Sequence, residues 1–281
     1  MTSTHTLTIG ATPFAVHTRG SGIPLLLLHA FPLDHSMWEA QEPLADAVRI
    51  IAPDQRGFGA TPGEPTITSI GAMADDAVAV LDALHVAEPA FVCGVSMGGY
   101  IAQHVAARHP ERVRGLILCD TKLDADTPEA RAGRAGLAAK VGRRGAGLLA
   151  DTMLGTLLAQ SAEARGRARR PAIEELLRQT IARQPVATIR AALAAMGQRP
   201  DMTETMQSLP IPTLLVVGEE DTFTPPAIMQ RMESILPDAR LLIVPQAGHL
   251  VPLEVPEVFN AAVLAFLHAV AGHGGTATPD R

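Results

Sequence analysis

Phe91-Val92-Cys93-Gly94-Val95-Ser96-Met97-Gly98-Gly99-Tyr100 sets a G-x-S-x-G between a buried-looking apolar run and a segment of helical periodicity. A strand that runs into a helix here must turn sharply and hold Ser96 at its tip. Gly94 and Gly98 keep side chains out of the crowded turn. The serine then stands at the N-terminus of the next helix, where free N–H groups favour developing negative charge. By itself a G-x-S-x-G arises by chance and marks no more than a turn. The strand, the helix and Gly99 around it make Ser96 a nucleophile candidate.

Outward from this turn, apolar runs rich in β-branched residues alternate with helix-period segments through the first 120 residues. Strands are expected at Thr6–Gly10, Phe14–Thr18, Pro24–His29, Val48–Pro53, Ala90–Gly94 and Val113–Cys119. Helices are expected between them at Ser36–Ala47, Thr68–Leu84 and Met97–His109, the last ended by Pro110. Such alternation implies a mostly parallel sheet with helices on both faces. From Asp124 to Ser208 the strand signal disappears and four or five short helices are expected, broken near Pro171, Pro185 and Pro200. Strands at Ile211–Gly218 and Arg240–Pro245 then return, with helices at Pro226–Leu236 and Pro256–Val270. The expected organisation is an α/β core from residues 1–123 and 209–271, with residues 124–208 inserted as a helical cap. The tail, 272–281, has no apolar anchors and is expected to be disordered.

A serine hydroxyl needs a neighbouring base. His249, in Val244-Pro245-Gln246-Ala247-Gly248-His249-Leu250, lies just beyond the last expected strand. His85, His104 and His109 fall on helices or their ends, His268 and His273 in or after the last helix, and His35 precedes the serine. The acid that orients the base is sought between them, and Gly218-Glu219-Glu220-Asp221-Thr222-Phe223 follows a strand. Asp221 has the short side chain that suits a turn aimed at an imidazole, while Glu219 and Glu220 read as solvated. Asp120, directly after Ile117–Cys119, is the competing acid, with a start to the cap as its ordinary role. Leu25–Leu28 ends in His29-Ala30-Phe31-Pro32, so the N–H groups of Phe31 and Met97 are the candidate oxyanion donors.

Composition narrows the class. The 281 residues carry a formal charge of -6, which argues against nucleic acid as a partner. MTSTHTLTIG has no basic segment followed by an apolar run, and Ile23–Leu28 is far too short to span a bilayer. A soluble cytoplasmic protein with no membrane partner is expected. Cys93 and Cys119 read as buried reduced thiols, and neither belongs to a spaced Cys/His cluster, so neither a metal nor a cofactor is expected.

The pieces HAFP, Asp54-Gln55-Arg56-Gly57-Phe58-Gly59, GVSMGG, His109-Pro110-Glu111-Arg112-Val113, GEEDTFTP and AGHLVPLEVPEVFN, in the order Ser, Asp, His, resemble the α/β-hydrolase superfamily along nearly the full chain. The resemblance implies an α/β fold with a mostly parallel eight-stranded sheet, one antiparallel strand near the N-terminus, flanking helices and an inserted helical cap. It also implies that Phe31 and Met97 supply the oxyanion donors. Ala30 departs from the glycine usual in that loop. Ser96 stands where epoxide hydrolases and haloalkane dehalogenases of this fold carry aspartate. Leu250 stands where carbon–carbon bond hydrolases commonly carry an aromatic residue. The segment from Cys93 to Thr121, with Met37-Trp38 upstream, looks most like carboxylesterases and 3-oxoadipate enol-lactonases.

The expected activity is hydrolysis of a small or medium carboxylic ester through an acyl-enzyme. Lactonase, cofactor-free haloperoxidase or perhydrolase activity, and a ligand receptor on a hydrolase scaffold are the alternatives. The pocket is expected to be apolar, from Phe31, Trp38, Met97, Leu123, Met153, Leu157, Leu250 and Val251, residues whose ordinary role is core. The likeness to enol-lactonases, which hold an anionic substrate, implies a cap arginine facing the pocket. The cap has many, Arg178, Arg183 and Arg190 among them. The sequence singles out none, and a solvated position is their ordinary place.

Overall fold

A computed structural model describes residues 2–61 and 67–273. Its eight strands are β1 (Thr2–Ile9), β2 (Thr12–Arg19), β3 (Ile23–Leu28), β4 (Val48–Pro53), β5 (Ala90–Val95), β6 (Val113–Cys119), β7 (Thr213–Gly218) and β8 (Ala239–Val244). They form one sheet in the order β1-β2-β4-β3-β5-β6-β7-β8. β2 runs antiparallel to both neighbours, and all later pairings are parallel. Interior strands read as continuous apolar runs because helices cover both faces: β5 (AFVCGV) and β7 (TLLVVG) are buried at every position. β8, at the edge, is only half-buried along most of its length.

The helix expected at Ser36–Ala47 is a 3₁₀ helix over His35–Asp46. Pro43 inside it removes a donor that an α-helical ladder would need. α1 (Ile70–Ala83) is capped by the Ser69 hydroxyl, which accepts from the Ala72 N–H at 3.0 Å. α2 (Met97–Arg108) stops just short of Pro110.

Six helices are inserted between β6 and β7: α3 (Pro128–Arg144), α4 (Gly147–Leu157), α5 (Ala162–Arg165), α6 (Arg170–Arg183), α7 (Val186–Gln198) and α8 (Thr203–Gln207). Within the insertion α3 packs on α7 and α4 on α6. α9 (Pro226–Ile235), α10 (Val251–Glu254) and α11 (Pro256–His273) complete the chain. α11 passes its expected end at Val270, so Gly272 and His273 are helical and not part of a disordered tail. The remainder of that tail, 274–281, lies outside the described residues.

The six strands of the parallel side, β3 through β8, all end at the same edge. That edge therefore collects the loops that carry His29–Leu33, Ser96, Asp120–Asp126, Glu219–Pro225 and Pro245–Leu250. In open parallel sheets this is where ligands bind.

Candidate active site

Ser96 sits at φ 54° and ψ -111°, a backbone region that non-glycine residues rarely occupy. Neighbouring strands hold it there. Its N–H donates to the Cys119 carbonyl at 3.0 Å, and its carbonyl accepts from Thr121 Oγ1 at 3.0 Å. The turn closes only without side chains. A Cβ on Gly94 would stand 2.1 Å from the Gly98 carbonyl oxygen, and one on Gly98 would stand 2.0 Å from that of Leu28.

Ser96 Oγ lies 2.8 Å from His249 Nε2, and His249 Nδ1 lies 2.8 Å from Asp221 Oδ2. Both His249 and Asp221 are buried. An ionised carboxylate can only accept, so the proton between them belongs on Nδ1, which leaves Nε2 free to accept from the serine. The loop is fixed by the His249 N–H, which donates to the Leu157 carbonyl at 2.9 Å. Asp221 is held by its own turn. Its Oδ1 accepts from the N–H groups of Phe223 (2.8 Å) and Thr224 (3.1 Å), and its Oδ2 also accepts from Thr224 Oγ1 (2.5 Å).

Burial works against charge on both partners, and their contact outweighs it. The Asp221 pKa falls below the usual carboxylate value because His249 and the Thr224 donors favour the anion. The His249 pKa rises above the ordinary histidine value through the hydrogen bond and charge of Asp221, with smaller help from Asp120 and Glu254.

Asp120, the competing acid, does not reach the imidazole by any hydrogen bond among the described residues. Its Oδ1 accepts from the Gly218 N–H at 3.0 Å and its Oδ2 from the Val251 N–H at 3.3 Å. Burial, and then the charge of Asp221, push its pKa up to about 7. Glu220 is not simply solvated either. Its carboxylate accepts from the N–H groups of Gln160 (2.7 Å) and Ser161 (2.9 Å).

Met97 opens α2, so its N–H has no acceptor within the helix. Phe31 lines the same cavity as Ser96. The loop that presents it is braced by His29, whose Nε2 accepts from the Gln55 N–H at 2.9 Å and whose Nδ1 donates to the Ala30 carbonyl at 3.0 Å. Burial lowers the His29 pKa and keeps it in that neutral form. Ala30 is not among the residues of positive φ. An alanine in place of the usual glycine therefore carries no backbone strain.

A cavity of about 370 Å³ opens on Ser96 and His249. Met153 and Leu157 line it, as the sequence predicts. Trp38, Leu123, Leu250 and Val251 do not, and their expected place on its wall is corrected. Trp38 is buried, with its ring 6.5 Å from that of Phe259 on α11. Leu123, Leu250 and Val251 are almost wholly buried and belong to the packed core. The Met97 side chain is likewise fully buried, and only its backbone faces the question of catalysis. Arg178 and Arg183 pair with Asp151 and Asp34, and the cavity wall includes neither of them nor Arg190.

A family model of the alpha/beta hydrolase fold matches residues 23–256. The chain belongs to this family. A thermophilic esterase from Thermogutta terrifontis is 37% identical with a TM-score of 0.88, over 96% of this chain and 99% of that one. The pimeloyl-[acyl-carrier protein] methyl ester esterase of Chromobacterium violaceum is 31% identical, over 91% of this chain and 98% of the relative. The 3-oxoadipate enol-lactonase 2 of Acinetobacter baylyi is 27% identical over 86% and 88%. The chain also matches polyketide synthase ThaQ of Burkholderia thailandensis at 38% identity over 179 residues, spanning 8% of that protein's length.

This hydrolase's cavity has residues that sequence reasoning missed. Tyr100 stands one helical turn beyond Ser96, on the same face of α2, a spacing that points to the site. Lys122 and Asp126 follow the end of β6, at the ligand-binding edge of the sheet. Arg134, Leu193 and Met196 come from α3 and α7 and carry no local signal. Phe223, half-exposed, lies with its ring 5.0 Å from that of His249.

Among the described residues, one group of possible metal ligands comes together, His17, His35 and Asp54, outside this cavity. The two imidazoles are stacked, with centroids 3.3 Å apart and planes 11° from parallel, so their in-plane lone pairs do not converge on a shared ion. Asp54 is already taken up by the N–H and Nδ1 of His35 and the N–H of Ala60. No helix among the described residues is long and apolar enough to cross a membrane.

Proposed function

We propose that this hydrolase cleaves small carboxylic esters through an acyl-enzyme, with Ser96 as nucleophile, His249 as general base and then acid, and Asp221 as the group that orients His249. The observation that carries this reading is the unbroken chain of two 2.8 Å contacts from Ser96 Oγ through the imidazole to Asp221 Oδ2. Ser96 Oγ attacks the ester carbonyl while Nε2 takes its proton. The carbonyl oxygen gains a charge between the N–H groups of Phe31 and Met97, each such donor being worth about 3–4 kcal/mol in the transition state. Nε2 then protonates the leaving alcohol. Water, deprotonated by the same nitrogen, releases the acid and restores the serine.

On this reading residues 124–208 form a cap over the core of residues 1–123 and 209–271, and the cap sets substrate size. A lactone is a second substrate form, since ring opening uses the same steps and the likeness to an enol-lactonase supports it. Ser96→Ala tests the whole assignment. It is expected to lower kcat for a simple aryl ester on the order of 10⁶-fold while the circular dichroism spectrum is retained. Fluorophosphonate labelling of another serine, with Ser96 unlabelled, would overturn it.

A further inference from the structure

One wall of the cavity carries more positive charge than its own acids balance. Lys122, on the loop after β6, and Arg134, on α3, line the space that also holds Ser96 and His249. Both lean on one buried carboxylate, Asp126. Arg134 Nε donates to Asp126 Oδ2 at 2.5 Å, and Lys122 Nζ lies 3.7 Å from Oδ1. Behind them Arg199 donates to the same Oδ1 at 2.7 Å.

The Arg199 side chain is 2% exposed, with its guanidinium 4.0 Å from the centre of the Tyr100 ring. Its remaining bonds go to the carbonyls of Met196 and Asp124. Asp124 itself pairs with Arg231, and Asp201 accepts from the backbone of Ala125 and Thr203. Three cations thus share one carboxylate. Arg134 also reaches Asp126 Oδ1 through Nη2 at 3.5 Å, so two arginines share a carboxylate that balances only one of them. Lys122, 3.7 Å away, is the more weakly paired, and the wall is left with net positive charge. Burial, and then the charge of Arg199, pull the Lys122 pKa down, as expected for a cation short of a counter-charge. Leu137, Met153, Leu157 and Leu193 make the surrounding wall apolar, and a charge is screened less there than in water.

The geometry points to an anion subsite in which Lys122 and Arg134 receive a carboxylate of the substrate, so that the substrate is a small ester or lactone that itself bears a carboxylate. The inference rests on the serine-hydrolase reading, because it places the reacting carbonyl at Ser96 and the carboxylate at the α3 wall.

Pairs of esters matched in length test it. Monomethyl adipate against methyl hexanoate puts the carboxylate in the acyl part, and 4-acetoxybutanoate against butyl acetate puts it in the alcohol part. In one pair or both, the charged ester is expected to exceed its neutral partner in kcat/KM by about tenfold or more, chiefly through KM. That ratio is expected to shrink in about 0.5 M NaCl. It falls toward one in Lys122→Gln and Arg134→Gln, and Lys122→Arg retains it. A ratio of one or below in both pairs overturns the subsite, as does an unchanged ratio in both glutamine variants. Where a variant does not fold, the salt dependence of the wild-type ratio decides. If the wild type hydrolyses none of the four esters, the ester-hydrolase reading is judged separately, on the aryl ester. The subsite is then decided by calorimetric titration of monomethyl adipate and methyl hexanoate into Ser96→Ala. Tighter binding of the charged ester supports it and equal binding overturns it.

Discussion

Two carboxyl groups lie beneath His249, and their partners give them different work. Asp221 touches Nδ1 directly, whereas Asp120 ties the Gly218 N–H to the Val251 N–H, joining the two loops that carry Asp221 and His249. Asp221→Asn replaces the acceptor of the Nδ1 proton and favours the wrong tautomer. A fall in kcat on the order of 10⁴ is expected, with KM changed far less. The same change removes the main influence that raises the His249 pKa. His249 must be neutral to act as base, so activity is lost as pH falls through that pKa. In the wild type this limb lies above about 6.5, and in Asp221→Asn it moves to lower pH. Asp120→Asn keeps one acceptor oxygen and removes only a weaker raising influence, so its loss of kcat and its shift are expected to be smaller. The reverse order in steady-state pH profiles would transfer the orienting role to Asp120. Ser96, His249 and Asp221 are legible in the sequence because each follows a strand at the reacting edge. Asp120 follows a strand at that edge too, so position alone leaves it a rival. Its bonding role is not legible, because its oxygens accept from residues 98 and 131 positions away.

At the scale of elements, the inserted helices show where local signals mislead. Prolines 171 and 185 mark helix beginnings here: Pro171 falls in the first turn of α6, and Pro185 immediately precedes α7. Counting breaks at the prolines undercounts the helices, since α5 and α8 are short and bounded by neither. The turn between α4 and α5 is anchored to the core. The Ala159 N–H donates to Glu254 Oε2 at 2.8 Å, Gly248 donates to the other oxygen of Glu254 at 2.8 Å, and Gln160 and Ser161 donate to Glu220. This anchoring holds Met153 and Leu157 against the site, on the C-terminal half of α4. Met153→Ala or Leu157→Ala is therefore expected to enlarge the cavity locally and shift preference toward longer acyl chains. The shift is worth about 1–3 kcal/mol between neighbouring lengths, without loss of turnover on the smallest ester. An unchanged ranking of kcat/KM across a series of aryl esters would remove α4 from the specificity wall.

For the whole molecule, the sheet is legible because its interior strands are buried on both faces, which writes unbroken apolar runs such as Leu25–Leu28 and Leu214–Val217 into the sequence. What a side chain faces is less legible, since Trp38 and Leu250 satisfy the same apolar pattern whether they meet core or cavity. The attachment of the insertion to the core was not legible at all. It runs through bonds between distant residues: Arg183 to Asp34 at 2.6 Å, Gly59 N–H to Gln184 at 3.0 Å, and Thr188 Oγ1 to the Gly57 carbonyl at 3.1 Å. These contacts, with those of Glu220 and Glu254, fasten the insertion along several sides of the site. Asp34 and Glu254 are buried core carboxylates, so detaching the insertion would uncover groups whose partners it supplies. Insertion and sheet are therefore expected to unfold together, although a chain of this length is able to unfold in steps. Two probes read the two parts separately. Trp38, the single tryptophan, packs near Phe259 on the core side, and far-UV circular dichroism is weighted toward helix, much of it in α3–α8. Urea transitions followed by Trp38 fluorescence and by circular dichroism are expected to coincide in midpoint and slope. A dichroism transition that precedes the fluorescence change would show that the insertion comes away from a folded core, and that these fastenings are weaker than their burial implies.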